Sequence, residues 1–368
     1  MKIDRAELRE IRLPLREPFA ISSGVWSERR VILLRLEGEG VAGWGECVAA
    51  EDPSYSPETT DTAWHVLTRF LVPGLPGREI MGPAEVFTHA PWVRGNRMAK
   101  AAVEMSVWDL WAKSLGVPVW ELLGSSGRAI RVGVSVGLQS SDDTLLGKVE
   151  GYLKEGYARI KLKIKPGRDV EMLRAVRDRF PEVSLMADAN SAYTLSDLPR
   201  LREMDDLGLT MIEQPLGHED LLDHAALQAD LRTPICLDES IRSLDDLRLA
   251  LHLDAGRVVN LKPGRVGGLA ESLRIHRLCS ERQIPLWCGG MLETGIGRAF
   301  NVALAGLPGF TLPGDISASR RYWERDIVRP EWELSSGTIT PASGPGIGVE
   351  PDLERIDELT HRKVTFPD

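Results

Sequence analysis

The chain reads Ser184-Leu-Met-Ala-Asp188, Thr210-Met-Ile-Glu213 and Ile235-Cys-Leu-Asp238 across its middle third. Each stretch is a short apolar run that ends in an acidic residue, which is typical of a strand buried inside a parallel sheet. Amphipathic segments with helical periodicity separate the stretches. The pattern therefore predicts strand–helix units that repeat along the chain and form an α/β fold.

Similar apolar runs continue on both sides and bring the number of candidate strands to eight. The further candidates are residues 131–136, 159–164, 258–262, 286–288 and 310–312. Residues 1 to about 50 instead alternate apolar and polar positions, which predicts an antiparallel meander ahead of the parallel strands.

The polar residues in or after the central strands recur at a nearly constant interval. Lys163, Asp188, Glu213, Asp238 and Lys262 lie 25, 25, 25 and 24 positions apart. Because one strand–helix unit separates each residue from the next, we expect the five side chains at one height. That height is the carboxyl-terminal mouth of a closed barrel, where such barrels carry their chemistry.

Three carboxylates at the ends of apolar strands are costly to bury together unless a cation lies among them. The oxygen ligands of Asp188, Glu213 and Asp238 suit Mg²⁺, with Mn²⁺ as a substitute. The four cysteines have no Cys-x-x-Cys spacing, which argues against zinc. The alternative is that each carboxylate caps the following helix or pairs with an arginine.

Two lysines on one strand and a third further along the chain supply candidate bases. Lys161 and Lys163 are two positions apart, so both point into the barrel. Burial, mutual repulsion and a nearby cation would lower their pKa, so that one can act as a general base near neutral pH. Lys262 reaches the mouth from the other side. Two lysines beside a metal suit removal of a proton next to a carboxylate, since the metal neutralises the charge that develops.

Length and composition limit the classes of partner. The 368 residues are 43% hydrophobic and carry a net charge of −9, which favours a globular protein of two domains. No basic excess is present to neutralise phosphates, so nucleic acid is not an expected partner. No apolar segment suits a signal peptide or a membrane span, so we expect a cytoplasmic protein with no membrane partner.

Several longer motifs surround these residues. They are Lys161-Leu-Lys163, Asp188-Ala-Asn190, Ile212-Glu-Gln-Pro215, Leu237-Asp-Glu-Ser240, Asn260-Leu-Lys-Pro-Gly-Arg-Val-Gly-Gly268 and Cys288-Gly-Gly-Met-Leu-Glu-Thr-Gly-Ile-Gly-Arg298. Together the motifs resemble the enolase superfamily. Within its muconate-lactonising subgroup they are most similar to the o-succinylbenzoate synthase / N-acylamino acid racemase family, also called N-succinylamino acid racemases.

The resemblance implies a modified TIM barrel of the (β/α)7β type, formed by residues 126–324. It also implies an α+β capping domain of residues 1–125, which the tail at about 325–368 completes. Lys163 is then the acid/base, Lys262 stands opposite, and Lys161 tunes Lys163. The implied metal ligands are Asp188, Glu213 and Asp238.

Three neighbours of these residues match motif positions of the family. Asn190 and Glu239 are expected to orient the metal ligands, although either could instead cap a helix. Arg265 is expected to tune Lys262, and a structural salt bridge is the alternative.

Specificity is expected from the cap and from loops at the barrel mouth. Phe19 begins a glycine-ended stretch, residues 19–24, that suits a flexible loop closing over the mouth, with ordinary connecting loops as the alternative. Tyr55 lies in a second candidate loop. Position alone suggests Ser135, Gly290 and Met291 as further substrate contacts.

The resemblance implies two reactions on a small-molecule carboxylate. One is dehydration that gives o-succinylbenzoate in the menaquinone pathway, and the other is racemisation of N-acylamino acids, in a homo-oligomer. Muconate cycloisomerase and dipeptide epimerase are alternatives, although only Asp315 stands where the epimerases carry Asp-x-Asp. A non-catalytic barrel that serves as a binding protein is the alternative of a different class.

Overall fold

A computed structural model describes residues 1–21 and 24–367 of the chain. Its strands are numbered in chain order. They are β1 (Arg5–Ile21), β2 (Gly24–Gly38), β3 (Val41–Cys47), β4 (Ile130–Arg131), β5 (Val134–Val136), β6 (Ile160–Lys163), β7 (Leu185–Asp188), β8 (Ile212–Glu213), β9 (Ile235–Leu237), β10 (Val258–Leu261), β11 (Leu286–Cys288), β12 (Val328–Arg329), β13 (Thr338–Ile339), β14 (Glu350–Pro351) and β15 (Thr360–Phe366).

The α-helices are numbered in the same way. They are α1 (Thr60–Val66), α2 (Arg97–Leu115), α3 (Val119–Leu122), α4 (Asp142–Lys154), α5 (Asp169–Arg179), α6 (Leu198–Asp205), α7 (Leu221–Asp230), α8 (Leu244–His252), α9 (Pro263–Val266), α10 (Leu269–Arg282), α11 (Gly295–Ala305) and α12 (Leu353–Leu359). Within the described residues, none of these helices combines the length and the apolar character that crossing a bilayer requires.

A four-stranded antiparallel sheet with the order β15-β1-β2-β3 contains the predicted meander. The long helix α2 packs against β3 at very short range. A Cβ atom added to Gly45 would lie 2.1 Å from the carbonyl oxygen of Ala102, so only glycine allows this approach of helix and strand.

The second sheet is parallel, with the order β11-β10-β9-β8-β7-β6-β5. Consecutive strands are neighbours, as the repeated strand–helix pattern predicts, and helices connect them. Below the polar ends of the strands, a small cluster of buried side chains packs together, namely Met186, Met211, Cys236, Val258 and Trp287. The four cysteines are buried and unpaired.

The prediction of a regular eighth strand at residues 310–312 is wrong. Only isolated bridges occur there, from Leu286 to Phe310 and from Val132 to Gly314. Pro313 lies between the two bridges and has no N–H to donate to a ladder, so a regular strand is interrupted. The bridges still join β11 to the segment before β5 and close the barrel.

The prediction of a loop at residues 19–24 is also wrong for its described residues. Phe19 belongs to β1 and pairs with Trp26 of β2, and Ile21 pairs with Gly24. The long antiparallel pairing of β1 and β2 extends to this point, which the local sequence does not reveal. Ser22 and Ser23 lie outside the described residues.

Glu104 connects α2 to the helices of the parallel sheet. Its buried carboxyl group accepts hydrogen bonds from the N–H groups of Leu269 and Ala270, both at 2.8 Å, at the start of α10. The indole N–H of Trp108 donates a further hydrogen bond of 2.6 Å. Burial raises the pKa of Glu104 to about 7.

We expect Glu104→Gln to change how stability depends on pH. The carboxyl pKa rises from 4.5 in the unfolded chain to about 7 in the folded protein, so the folded protein retains the proton longer. This contribution to stability is complete below pH 4.5 and declines as the pH rises to about 7. Between these values the free energy of unfolding of the wild type should fall by up to about 3 kcal/mol relative to the variant.

Urea denaturation at a series of pH values measures this difference. Glu121→Gln, at an exposed position of α3, is the matched control and should follow the wild type. A difference between wild type and Glu104→Gln that is the same at every pH would contradict the expectation.

Candidate active site

The carboxyl ends of neighbouring strands bring the polar residues of the 25-residue interval together. Lys163 pairs in register with Asp188, and Asp188 pairs with Glu213. Asp238 and Lys262 directly follow β9 and β10. All five side chains are buried at this end of the sheet.

Contrary to expectation, the five residues do not all lie at one height. The register partner of Glu213 is Cys236, so Asp238 lies two residues further along its strand. A shift of two residues keeps a side chain on the same face of the sheet. Strands in a closed barrel are staggered, which explains the shift in height.

The ammonium group of Lys161 lies among three carboxylates. Its Nζ atom is 2.9 Å from Asp188, 3.0 Å from Glu213 and 2.6 Å from Asp315. It also lies 5.0 Å from the centre of the Trp287 ring. Lys161 therefore balances much of the negative charge that is buried here.

Lys163 is held by Asp188 and Asn190. Its Nζ atom donates to Asp188 Oδ2 at 2.7 Å and to Asn190 Oδ1 at 2.6 Å. The amide of Asn190 donates in turn to Glu239 Oε1 at 2.8 Å. Glu239 is thus connected to Lys163 through Asn190. Neither Asn190 nor Glu239 caps a helix.

Lys262 contacts Asp238 and Tyr55 on the other side of the site. Its Nζ atom donates to Asp238 Oδ2 at 2.8 Å and to the Tyr55 hydroxyl at 3.0 Å. Arg265 pairs with the second oxygen of Asp238 and donates to the Tyr55 hydroxyl at 3.3 Å. Tyr55 lies in the segment between β3 and α1 and places its aromatic ring against Lys262.

The pKa of Lys161 is shifted opposite to the direction that the sequence predicts for the Lys161 and Lys163 pair. Burial alone would lower the pKa of Lys161 and Lys262, but the adjacent carboxylates outweigh it and raise both values. Asp188, Asp315 and Glu213 act on Lys161, and Asp238 acts on Lys262. Strand spacing does not indicate which carboxylate each lysine contacts, so it could not predict this direction.

The carboxylates also affect one another. Burial and the charge of Asp188 raise the pKa of Glu213 to about 8, and burial and Asp238 raise that of Glu239 to about 7. Two buried oxygens, Asn260 Oδ1 and Glu239 Oε2, have no hydrogen-bond partner. Such a set of acidic and oxygen-rich groups fits a hard divalent cation.

The carboxylates are not gathered around a common point. Among residues 1–21 and 24–367, no three His, Cys, Asp or Glu side chains converge closely enough to hold a metal ion as they stand. The ammonium group of Lys161 lies between Asp188 and Glu213 and occupies oxygens that a metal would need.

A cavity lies above the lysines. All five residues suggested as substrate contacts line it: Phe19, Tyr55, Ser135, Gly290 and Met291. Lys161, Lys163, Lys262 and Asn190 line it as well, whereas the three carboxylates lie deeper. The hydroxyl of Ser135 is buried without a hydrogen-bond partner and is available to a ligand.

Sequence reasoning missed several residues of the site. Arg159 is buried beneath Lys161, pairs with Asp315 and stacks on Trp287 at 4.4 Å. Asn260 donates to Glu213 Oε1 at 2.7 Å. Strand parity was the available signal, because Arg159 precedes Lys161 by two positions and Asn260 precedes Lys262 by two. No such signal points to Arg29, which lines the cavity from β2.

Comparison with known proteins places the chain in a family. Residues 5–124 match the model of the mandelate racemase / muconate lactonizing enzyme N-terminal domain, and residues 145–356 match the enolase C-terminal domain-like model. The chain belongs to the enolase superfamily, as the motifs predicted. Members of this superfamily bind a divalent metal ion.

Two relatives and one solved structure are similar to the chain over nearly its whole length. An o-succinylbenzoate synthase of Geobacillus kaustophilus is 52% identical over 361 residues, which are 98% of this chain and 96% of the relative. An N-succinylamino acid racemase of Thermus thermophilus is 51% identical over 360 residues, 98% of each protein. The solved structure of an enolase superfamily member from Listeria innocua gives a TM-score of 0.95 at 44% identity and covers 99% of both chains.

We expect Asp315→Asn to destabilise the protein. The change removes the negative charge that Lys161 and Arg159 share, and leaves two buried cations with fewer partners. The free energy of unfolding, measured by urea denaturation, should fall by about 3 kcal/mol. Asp230→Asn removes an exposed pair with Arg202 and should change it by less than about 1 kcal/mol. Equal effects of the two substitutions would refute this view of Asp315.

Proposed function

We propose that this chain removes the proton next to a carboxylate group in a reaction that depends on a divalent metal. The substrates would be small carboxylates: the precursor that gives o-succinylbenzoate by dehydration, N-succinylamino acids that are racemised, or both. Relatives about half identical over nearly the full length bear the names of these two activities.

One observation carries the proposal: two buried lysines enter one cavity from opposite sides of three acidic strand ends. Lys163 ends β6 and Lys262 follows β10, while the strands between them end in Asp188, Glu213 and Asp238. A planar carbon bound between the lysines could lose a proton to one of them and receive a proton from the other.

Lys163 is the proposed acid/base. Its contacts with Asp188 and Asn190 fix its Nζ atom at the edge of the cavity, so the group is oriented before substrate binds. In the dehydration, Lys163 would take the proton and then deliver one to the departing hydroxyl group. In the racemisation, Lys163 and Lys262 would both exchange protons with the same carbon.

Lys262 has a different role in each reaction. Its contact with the Tyr55 ring, 5.0 Å from the ring centre, holds the ammonium group at the cavity wall. In the dehydration its positive charge alone is needed, because it stabilises the anion. Arg265 and Asp238 restrict the movement of Lys262 and of Tyr55, so Arg265 is a positioning residue in this proposal.

Asp188, Glu213 and Asp238 would hold the metal ion, which we propose to be Mg²⁺ with Mn²⁺ as a substitute. Such an ion supplies positive charge that anchors the substrate carboxylate and offsets the negative charge that develops on it. Asn190 and Glu239 would keep Asp188 and Lys163 in place. If the ion took carboxylate oxygens from Lys161 and Lys262, these two lysines would lose contacts that raise their pKa values, which favours a neutral amine.

The remaining cavity walls would select the substrate. Phe19, Gly290 and Met291 offer apolar surface and backbone, and the unpartnered hydroxyl of Ser135 can donate to a substrate oxygen. The dipeptide epimerase alternative is less well supported, because Asp315 already pairs with Lys161 and Arg159 instead of facing an incoming ammonium group.

Deuterium exchange at the carbon next to the carboxylate tests the proposal. N-succinylphenylglycine in deuterated water with Mg²⁺ should lose its α-proton signal in NMR spectra, and Lys163→Ala should lower this rate by at least about 100-fold. The same variant should lose o-succinylbenzoate synthesis. Lys165→Ala, two positions further on and exposed, is the control and should keep wild-type rates. A Lys163→Ala enzyme that retains most of either activity would exclude Lys163 as the base.

We expect Lys262→Arg to separate the two reactions. Arginine keeps the positive charge but does not act as a base, since its pKa lies above about 12. Racemisation should fall by about 100-fold or more, whereas dehydration should fall much less. Polarimetry and the absorbance of o-succinylbenzoate measure the two rates. Equal losses of the two rates would show that Lys262 has the same role in racemisation and in dehydration.

A further inference from the structure

Arg29 is a buried cation without a salt bridge. It lies on β2 and is only 4% exposed. Its Nη2 atom donates to the carbonyl oxygens of Val48 at 3.0 Å and Met291 at 3.4 Å. Its Nε atom is buried and has no hydrogen-bond partner. No carboxylate in the described part of the chain forms a salt bridge with it, in contrast to Arg30, which pairs with Glu10.

Burial of this kind is costly for a charged group. Burial lowers the pKa of Arg29, and the charges of Glu46 and Glu293 oppose this effect only partly. A guanidinium group with free donors in such surroundings lacks an anionic partner. The protein does not supply that partner among its described residues, so a ligand is the remaining source.

Arg29 lines the same cavity as the catalytic lysines. The charged residues in the cavity wall are Arg29, Lys161, Lys163 and Lys262, against a single carboxylate, Asp315. The lysines belong to the parallel sheet, whereas Arg29 comes from the antiparallel sheet. Positive charge is therefore present at both the barrel side and the cap side of the cavity, which suits a ligand with two separated anionic groups.

We infer that Arg29 binds the second, distal carboxylate of a dianionic substrate. The inference rests on the proposed function, under which the first carboxylate lies at the barrel end beside the lysines. o-Succinylbenzoate and N-succinylamino acids both carry a second carboxylate at the end of a short succinyl arm. The two backbone carbonyls hold the guanidinium group in position and leave its other donors free for that carboxylate.

A purely structural role would predict different behaviour. Arg29 joins β2 to the segments that contain Val48 and Met291, and its loss could displace both. Such a displacement would weaken every ligand of the cavity alike. Binding of the distal carboxylate predicts instead that only ligands with that group are affected.

Calorimetry with two ligands distinguishes these roles. The probes are o-succinylbenzoate and 2-butanoylbenzoate, each with Mg²⁺ present. In 2-butanoylbenzoate a methyl group replaces the distal carboxylate of the arm. The wild type should bind o-succinylbenzoate at least about tenfold more tightly, and Arg29→Gln should abolish this preference while it binds 2-butanoylbenzoate as before. Arg29→Lys should retain part of the preference. Arg12→Gln, exposed on the neighbouring strand β1, should behave as the wild type.

Two results would overturn the inference. One is equal affinity of the wild type for both ligands, which needs no variant to fold. The other is an equal loss of affinity for both ligands in Arg29→Gln. The proposed reaction is tested separately, by α-proton exchange with N-succinylphenylglycine. A protein that binds both probes but exchanges no proton would refute the proposed function, and its relative affinities for the two probes would still decide the role of Arg29.

Discussion

Buried charge at the carboxyl end of the parallel sheet is the constraint on which the rest of the structure depends. Asp188, Glu213 and Asp238 are buried at the ends of neighbouring strands, and each contacts a lysine that is also buried. Removal of one member leaves the opposite charges beside it with fewer partners, which costs more than the loss of an exposed pair. The same interactions therefore hold the lysines and the carboxylates in place.

The surrounding fold supports this charged layer from below and from above. Beneath it, Arg159 stacks on Trp287 and connects through Asp315 to Lys161. Above it, Tyr55 comes from the antiparallel part of the molecule and contacts Lys262 and Asp238. The lysines thus belong to the barrel, while the residues that enclose the cavity come from both parts: Phe19, Arg29 and Tyr55 from the cap, and Ser135 and Gly290 from the barrel.

Most of the barrel and the acidic and basic strand ends could be predicted from the sequence, because one strand–helix unit has a nearly constant length. That regularity locates Lys163, Asp188 and Glu213 in register without any knowledge of distant contacts. The prediction failed where a unit is irregular, because Pro313 interrupts the eighth strand. It also failed outside the repeated units, where Phe19 lies in a long antiparallel strand pair instead of a loop. Pairing of specific charges, such as Lys161 with Asp315, depends on side-chain geometry that spacing does not contain.

We propose that three carboxylates on adjacent strands hold one divalent ion between two opposed lysines. Anomalous diffraction from crystals of the protein grown with Mn²⁺ can locate such an ion. We expect a single strong peak about 2.1 Å from carboxylate oxygens of Asp188, Glu213 and Asp238 together, with Lys163 and Lys262 on either side of it. A peak bound by other residues, or none at the barrel mouth in crystals saturated with Mn²⁺, would show that these carboxylates do not form the metal site.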